Sequence, residues 1–201
     1  MSHYFTNDDT PLVTRTIRAT IFGNQLELTT AGGVFSGNRL DLGTSVLLRT
    51  IEPPPSGHVL DLGCGYGPIA VGLATASPGI TLDAVDVNER ALGLTRRNAE
   101  DLGVSARVNA VLPDDVAPDT RYDEIWSNPP IRIGKEALHE LLLRWLPRLK
   151  DDGVAYLVVS KNLGGDSLAS WLTDQGWPTS KVASAKGFRI LDVRPHEQPS
   201  A

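Results

Sequence analysis

Two stretches near the start of the chain alternate polar and apolar residues, TRTIRATIF at 14–22 and QLELTT at 25–30. A period of two marks half-buried strands, and Gly23-Asn24 between them predicts a hairpin turn. Ala31-Gly32-Gly33 breaks the alternation, and Asp41 opens a helix-like run, DLGTSVLLRTIE, closed by Pro53-Pro54-Pro55. This N-terminal third is expected to pack as an appendage on a main sheet.

From residue 57 the pattern becomes regular. HVLDLG reads as a short buried strand, and PIAVGLATAS as a helix ended by Pro78-Gly79. TLDAVDV is a second strand, followed by a helix through ERALGLTRRNAEDLG with Asn88 at its cap and Gly103 at its end. ARVNAVL is a third strand and YDEIWS a fourth, stopped by Pro129-Pro130. EALHELLLRWLPRLK places Leu138, Leu141, Leu142, Trp145 and Leu149 at helical spacing. GVAYLVVS is a fifth, fully apolar strand, DSLASWLTDQ a short helix capped by Asp166, and KVASAK with FRILDVR a closing hairpin. Strands separated by helices imply right-handed crossovers and a doubly wound α/β fold. The final hairpin requires an antiparallel strand near one edge of the sheet.

Composition adds bounds rather than chemistry. The chain has 201 residues, 41% hydrophobic and 21% charged, a size and balance suited to one methodically packed domain. We divide it into a hairpin and following motif at 1–45, a core at 46–194 and a tail at 195–201. No apolar run approaches the ~20 residues needed to span a bilayer, and MSHYFTNDDT lacks the features of a signal peptide. With one cysteine, the expected setting is a reducing, cytoplasmic one without membrane contact. His3, His58, His139 and His196 are scattered, so no metal is expected. Charge is uneven: residues 1–127 hold 9 basic against 16 acidic side chains, residues 128–201 hold 10 against 8. An acidic cofactor half and a locally basic substrate half would produce this split.

The chemistry concentrates between strands and helices. Asp61-Leu62-Gly63-Cys64-Gly65-Tyr66-Gly67 lies where the first core strand meets its helix, and its glycines let backbone approach a ligand. The third glycine comes one residue too early for a dinucleotide fingerprint, and Pro68 takes its place, which disfavours a pyrophosphate cradle. Asp61 would repel phosphate and attract a cation. Asp86 ends the second strand, where an acid accepts hydrogen bonds from ribose hydroxyls. A ligand with a ribose, a positive ammonium group and no pyrophosphate fits S-adenosylmethionine. Asp114 or Asp115, after the third strand, is placed to reach an adenine amino group. Cys64 lies in the loop with no histidine positioned to activate it, so it is a loop residue and not a nucleophile.

Trp126-Ser127-Asn128-Pro129-Pro130-Ile131-Arg132 closes the fourth strand. In a doubly wound sheet, ligands bind outside the carboxyl ends of the strands, and Asp61, Asp86 and Asn128 all fall at such ends. The nitrogen of an exocyclic or amide NH2 group is a poor nucleophile because its lone pair is delocalised. The Asn128 side-chain oxygen and the Pro129 carbonyl are candidates to bind its two hydrogens and aim that lone pair at a methyl donor. Pro129 and Pro130 stiffen the segment and remove N–H groups that would compete. Lys161, Arg132 and Lys135 are candidates for contact with a phosphate backbone.

These motifs together resemble the class I S-adenosylmethionine-dependent methyltransferases. GGVFSGNRLDLGTSVLL, DLGCGYG and SNPPIRIGKEALHELL are similar to the "small" methyltransferase domain of ribosomal small-subunit guanine-N2 methyltransferases. The resemblance implies a seven-strand sheet ordered 3-2-1-4-5-7-6 with strand 7 antiparallel. It also implies that Phe35 and Asp41-Leu42-Gly43-Thr44 border the methionine end of the cofactor. Asp61, Gly63, Cys64, Gly65, Gly67, Asp86, Val87, Asp114 and Asn128 would hold that cofactor. Phe35, Ile131, Arg132 and Lys161 would face the substrate, expected to be a base in RNA. Ile131 stands where related enzymes carry an aromatic residue, and Phe35, Tyr66 or Trp126 is the ring available in its stead. The alternatives from the sequence are a protein glutamine amide, a small-molecule acceptor, or a non-catalytic S-adenosylmethionine-binding module.

Overall fold

The computed structural model describes residues 13–34, 39–130 and 133–195. Strands β1 (Thr14–Ile21) and β2 (Asn24–Ala31) form a separate antiparallel hairpin. The core follows as α1 (Leu42–Thr50), β3 (Ser56–Leu62), α2 (Pro68–Ala76), β4 (Gly79–Val85), α3 (Glu89–Asp101), β5 (Val108–Val111) and β6 (Tyr122–Ser127). It continues through α4 (Lys135–Trp145), β7 (Leu149–Ser160), α5 (Gly165–Asp174), β8 (Thr179–Ala185) and β9 (Phe188–Val193). The sheet order is β5-β4-β3-β6-β7-β9-β8. In core numbering this is the expected 3-2-1-4-5-7-6, and β9 runs antiparallel to both β7 and β8.

Helices cover both sheet faces. Leu47, Val71, Leu73, Leu92 and Val59 belong to the core under α1, α2 and α3. Leu60, Leu142, Trp145, Leu157 and Leu172 build the core under α4 and α5. The apolar strand residues are buried on both sides because parallel strands joined by crossover helices present no face to water. No helix among the described residues is long and apolar enough to cross a membrane.

Four local expectations are corrected. The hairpin turn is centred on Phe22-Gly23, with φ of 47° and 78°, and Asn24 already pairs with Ile21. A tight hairpin of this hand needs positive φ at both central positions, and the Phe22 ring sits edge-on to Trp126 at 6.4 Å between centroids. The appendage docks on helices as much as on the sheet: Ile21 lies so close to Gly72 of α2 that a Cβ there would approach within 2.6 Å. Strand β7 starts at Leu149, ahead of the predicted Gly153, with a register irregularity against β6. Gly164, in the left-handed region at φ 98°, precedes α5, and Asp166 sits in its first turn instead of capping it. There Asp166 complements the helix dipole and pairs with Arg189.

Asn98 of α3 joins hairpin to core. Its Oδ1 accepts from Thr29 N–H at 2.7 Å, and its Nδ2 donates to Thr29 O at 2.9 Å and Tyr66 O at 2.8 Å. The side chain is fully buried, so its loss strands three backbone groups away from water. Asn98→Ala is expected to destabilise the protein by about 2–4 kcal/mol. Urea unfolding checks this; a change below ~0.5 kcal/mol would show that the hairpin is not anchored there.

Candidate active site

The direction of winding reverses between β3 and β6, and the crossovers that leave these strands in opposite directions open a crevice beyond their carboxyl ends. The glycine loop enters it from β3. Four of its amides, those of Gly63, Cys64, Gly65 and Gly67, are already engaged: Gly63 and Cys64 N–H donate to Val85 O at 2.8 and 3.0 Å, and Gly67 N–H donates to Cys64 O at 2.9 Å. Gly65 N–H donates to Asp86 Oδ2 at 2.9 Å. Donors committed in this way, beside two acids, do not form a phosphate cradle. Gly67 has a φ of 85°, and a Cβ there would lie 2.8 Å from the Thr95 side chain. Thr95 Oγ1 donates to Gly65 O at 3.0 Å, so α3 holds the loop from behind.

Asp61 is fully buried at the root of the loop. Its Oδ2 accepts from Ala70 N–H at 3.0 Å, while its Oδ1 is buried without a partner among the described residues. Burial pushes its pKa up to about 8, with the Ala70 N–H opposing and Asp86 adding to the rise. Asp86 accepts from Asn88 N–H at 2.9 Å as well as from Gly65. Burial raises its pKa too, against the hydrogen bonds it accepts. Three backbone N–H groups, of Asn88, Gly65 and Val87, bond to Asp86, which leaves its carboxylate some further acceptor capacity. Val87 beside it is exposed. Burial, then Asp61 and Asp86, push the Cys64 thiol up, so it is held as an inert thiol.

Asn128 reaches the crevice from β6. Its Nδ2 donates to Asp41 Oδ1 at 2.6 Å and to Thr44 Oγ1 at 3.0 Å. The preceding Ser127 Oγ donates to Leu62 O at 2.7 Å, tying the end of β6 to the end of β3. Pro130 packs against the loop, 3.9 Å from where a Cβ on Gly63 would stand. A cleft of ≈ 330 Å³, counting space open to solvent, is lined by Asp41, Thr44, Gly63, Cys64, Gly65, Tyr66, Pro68, Ile69 and Asn128.

Of the residues expected at the site, Gly63, Cys64, Gly65 and Asn128 therefore line one cleft, with Asp61, Asp86 and Gly67 around the same loop. Pro129 and Pro130 follow Asn128 directly. Asp114 has a different partner: it pairs with Arg144 at 2.7 Å, is largely exposed, and is not among the cleft-lining residues. Lys161 is exposed at the end of β7, where its backbone N–H donates to Gly187 O at 2.9 Å. Phe35, Ile131 and Arg132 lie outside the described residues. Trp126 is fully buried and Tyr66 is 2% exposed, so neither offers a free ring face. Phe188, which opens β9, was not anticipated; its ring packs against Gly43 beside Asp41. Thr95 and Asn98 were also missed, although polar residues three apart on the apolar face of α3 are a readable signal of buried hydrogen bonding.

The family model described as "Methyltransferase small domain" matches residues 25–192. YbxB of Bacillus subtilis (strain 168) is 34% identical over 83% of this chain and 84% of its own length. The protein named ribosomal RNA small subunit methyltransferase C of Ectopseudomonas mendocina (strain ymp) is 32% identical, covering 84% of this chain and 51% of the relative. Its counterpart in Shewanella pealeana is 38% identical over 65% of this chain and 39% of the relative. The chain thus spans about half, or less, of the length of the rRNA methyltransferases it matches. A 16S rRNA N2 methyltransferase of T. Thermophilus, solved with AdoMet and guanosine, superposes with a TM-score of 0.79 at 22% identity. That match covers 92% of this chain and 51% of the other, and the likeness is one of fold.

The buried charge of Asp61 has a measurable signature. The folded protein keeps a proton there up to about pH 8, whereas the unfolded chain loses it near 3.8. Between those values the folded state binds the extra proton, so this group lowers stability as pH rises and its effect levels off above about 8. Asp61→Asn lacks the slope. Its stability relative to wild type is expected to climb by up to about 1.4 kcal/mol per pH unit across that window. Parallel pH profiles in urea unfolding would mean that Asp61 is solvated.

Proposed function

The chain belongs to the methyltransferase small domain family, and from that premise we propose that it methylates an amino nitrogen using S-adenosylmethionine. The acceptor in this reading is an exocyclic amino group of a base in RNA, of the guanine-N2 type in ribosomal RNA. The observation that carries the reaction type is the Asn128 amide, whose nitrogen is committed to Asp41 and Thr44. Its oxygen is thereby directed elsewhere, as an acceptor.

Several features fit the cofactor. Asp61 Oδ1 is a buried acceptor without a partner, suited to an ammonium group. Asp86 retains acceptor capacity for ribose hydroxyls, and exposed Val87 beside it offers apolar surface. Among the described residues, no atom beyond Gly65 and its chain neighbours lies within 4 Å of where a Cβ on Gly65 would stand, so the loop leaves room for close approach. Gly63, Cys64 and Gly67 complete that loop. When bound, S-adenosylmethionine supplies a methyl group on a positively charged sulfur.

The chain's own contribution is orientation. Asn128 Oδ1 and the Pro129 carbonyl hold the two hydrogens of the acceptor NH2, which draws its nitrogen toward a pyramidal geometry. The lone pair is then localised and aimed. Preorganised acceptors of this kind act through positioning and electrostatics and need no strong base. RNA as partner is supported by the relatives' names and by the basic balance of residues 128–201, with Lys135 and Lys161 both exposed.

Asn128→Ala is expected to cut methyl transfer by ~10² or more while leaving cofactor affinity within a few-fold. Labelled-methyl transfer to ribosomal subunits, total RNA and protein extracts, followed by mass mapping, identifies the acceptor. Label on a guanine of ribosomal RNA supports the full reading. Label on a glutamine amide keeps the nitrogen chemistry and overturns the RNA assignment. Cofactor binding with no transfer to any pool would leave a binding module.

A further inference from the structure

We propose that Asp41 is the positioning residue that decides which way the Asn128 amide faces. The inference rests on the reading that Asn128 Oδ1 receives the acceptor amine. An asparagine side chain has nearly the same shape in its two flipped states, yet only one places oxygen toward a substrate NH2. In the other, an NH2 faces an NH2 and the clamp is lost. Something must choose between them.

The two neighbours of Asn128 Nδ2 differ in what they are able to choose. Thr44 Oγ1, at 3.0 Å, is a hydroxyl that donates or accepts and therefore tolerates either amide atom. Asp41 Oδ1, at 2.6 Å, belongs to a carboxylate, which only accepts. The atom facing Asp41 must carry hydrogen, and the amide oxygen is fixed on the opposite side. Donation to a charged oxygen also polarises the amide and increases the negative charge on Oδ1.

Asp41 is itself held rigidly. The same Oδ1 accepts from Thr44 N–H at 3.0 Å as the N-cap of α1, and Asp41 O accepts from Ser45 N–H at 2.8 Å. One oxygen thus joins the start of α1 to the end of β6, although 87 residues separate Asp41 from Asn128. Capping alone does not require this residue, because serine caps a helix about as well as aspartate. Asparagine would not separate the roles, since the oxygen that accepts from Thr44 N–H is the one that faces Asn128. Serine lacks the obligatory acceptor: its hydroxyl donates or accepts, and its side chain is one atom shorter. Asp41→Ser therefore separates the two roles.

The test uses the full chain with the acceptor found by the labelling experiment. Asp41→Ser is expected to keep its melting temperature near wild type while kcat at saturating S-adenosylmethionine falls by about tenfold or more, the scale of one charge-assisted hydrogen bond. Asp41→Ala should fall further. Added to Asn128→Ala, Asp41→Ser should cause no additional loss of kcat, since it acts through that amide.

A readout independent of activity is the Asn128 side-chain NH2 signal in a nitrogen-15 spectrum, identified by its disappearance in Asn128→Ala. In wild type, hydrogen exchange at this group should be slowed by about tenfold or more relative to exposed asparagines, and Asp41→Ser should abolish much of that protection. Wild-type kcat in Asp41→Ser, an additional loss in the double variant, or free exchange of the Asn128 amide in wild type would each overturn the proposal. If wild type binds S-adenosylmethionine but methylates nothing, the proposed activity fails. The exchange measurement then still decides whether Asp41 orients the amide.

Discussion

The constraint on which the site depends is directional. In a parallel sheet every strand delivers its last residue to the same edge, and right-handed crossovers keep that edge open to ligands. Asp61 and Asn128 are far apart in sequence, yet they close adjacent strands, with Asp61 paired to Trp126 in register. Asp86 arrives from the strand on the other side. Little in the local sequence draws these groups together; the sheet order does. Ser127, bonded to Leu62 O, and Pro130, packed on Gly63, convert that proximity into a fixed spacing between the Asn-Pro-Pro segment and the glycine loop.

The elements that position the site were readable because each carried a strong local signal. Apolar strands bounded by glycine or proline, and helices with caps such as Asn88, follow from periodicity and turn chemistry. The final hairpin predicted an antiparallel strand, and β9 is that strand. The misses have a common physical origin. The turn at Phe22-Gly23, the partner of Asp114 and the role of Asn98 all depend on what packs opposite, which period and propensity do not encode. Asp41 shows the boundary well. Its place as a helix cap was legible from residues 41–44, but its bond to Asn128 exists only once β6 stands beside α1.

The opposite end of the sheet shows the same topology burying a carboxylate inside a hydrogen-bonded cluster. The crossover from β5 to β6 passes through residues 112–121 without an α-helix. Asp83 accepts from Tyr122 OH at 2.8 Å and Asn109 Nδ2 at 2.8 Å and lies 3.2 Å from His58 Nε2. His58 stacks on Tyr122 at 5.0 Å. Burial alone would raise the Asp83 pKa, but the hydrogen bonds from His58, Asn109 and Tyr122 outweigh it and the net shift is downward. This carboxylate is satisfied and stabilises the fold above the ordinary carboxylate range; the contribution is lost as pH falls through its lowered pKa.

Asp61 is the counterexample within the same sheet, and the contrast separates structure from function. Both aspartates are buried, on neighbouring strands, and both accept hydrogen bonds. Asp83 has partners on both oxygens; Asp61 has one from Ala70 and a second oxygen with none. A carboxylate left half-partnered in the interior costs stability, which is why its pKa rises to about 8 while that of Asp83 falls. Asparagine or serine there would accept the Ala70 N–H without that penalty. The residue is therefore explained by what its open oxygen attracts, and an aspartate attracts positive charge. Any cation brought to Oδ1 favours the ionised form, so binding it at neutral pH releases a proton and removes the penalty. In the proposed function the cation that binds Asp61 offsets what the acid costs the empty fold, and the amides of Gly63, Cys64, Gly65 and Gly67, already spent, leave charge on Asp61 as the attracting term.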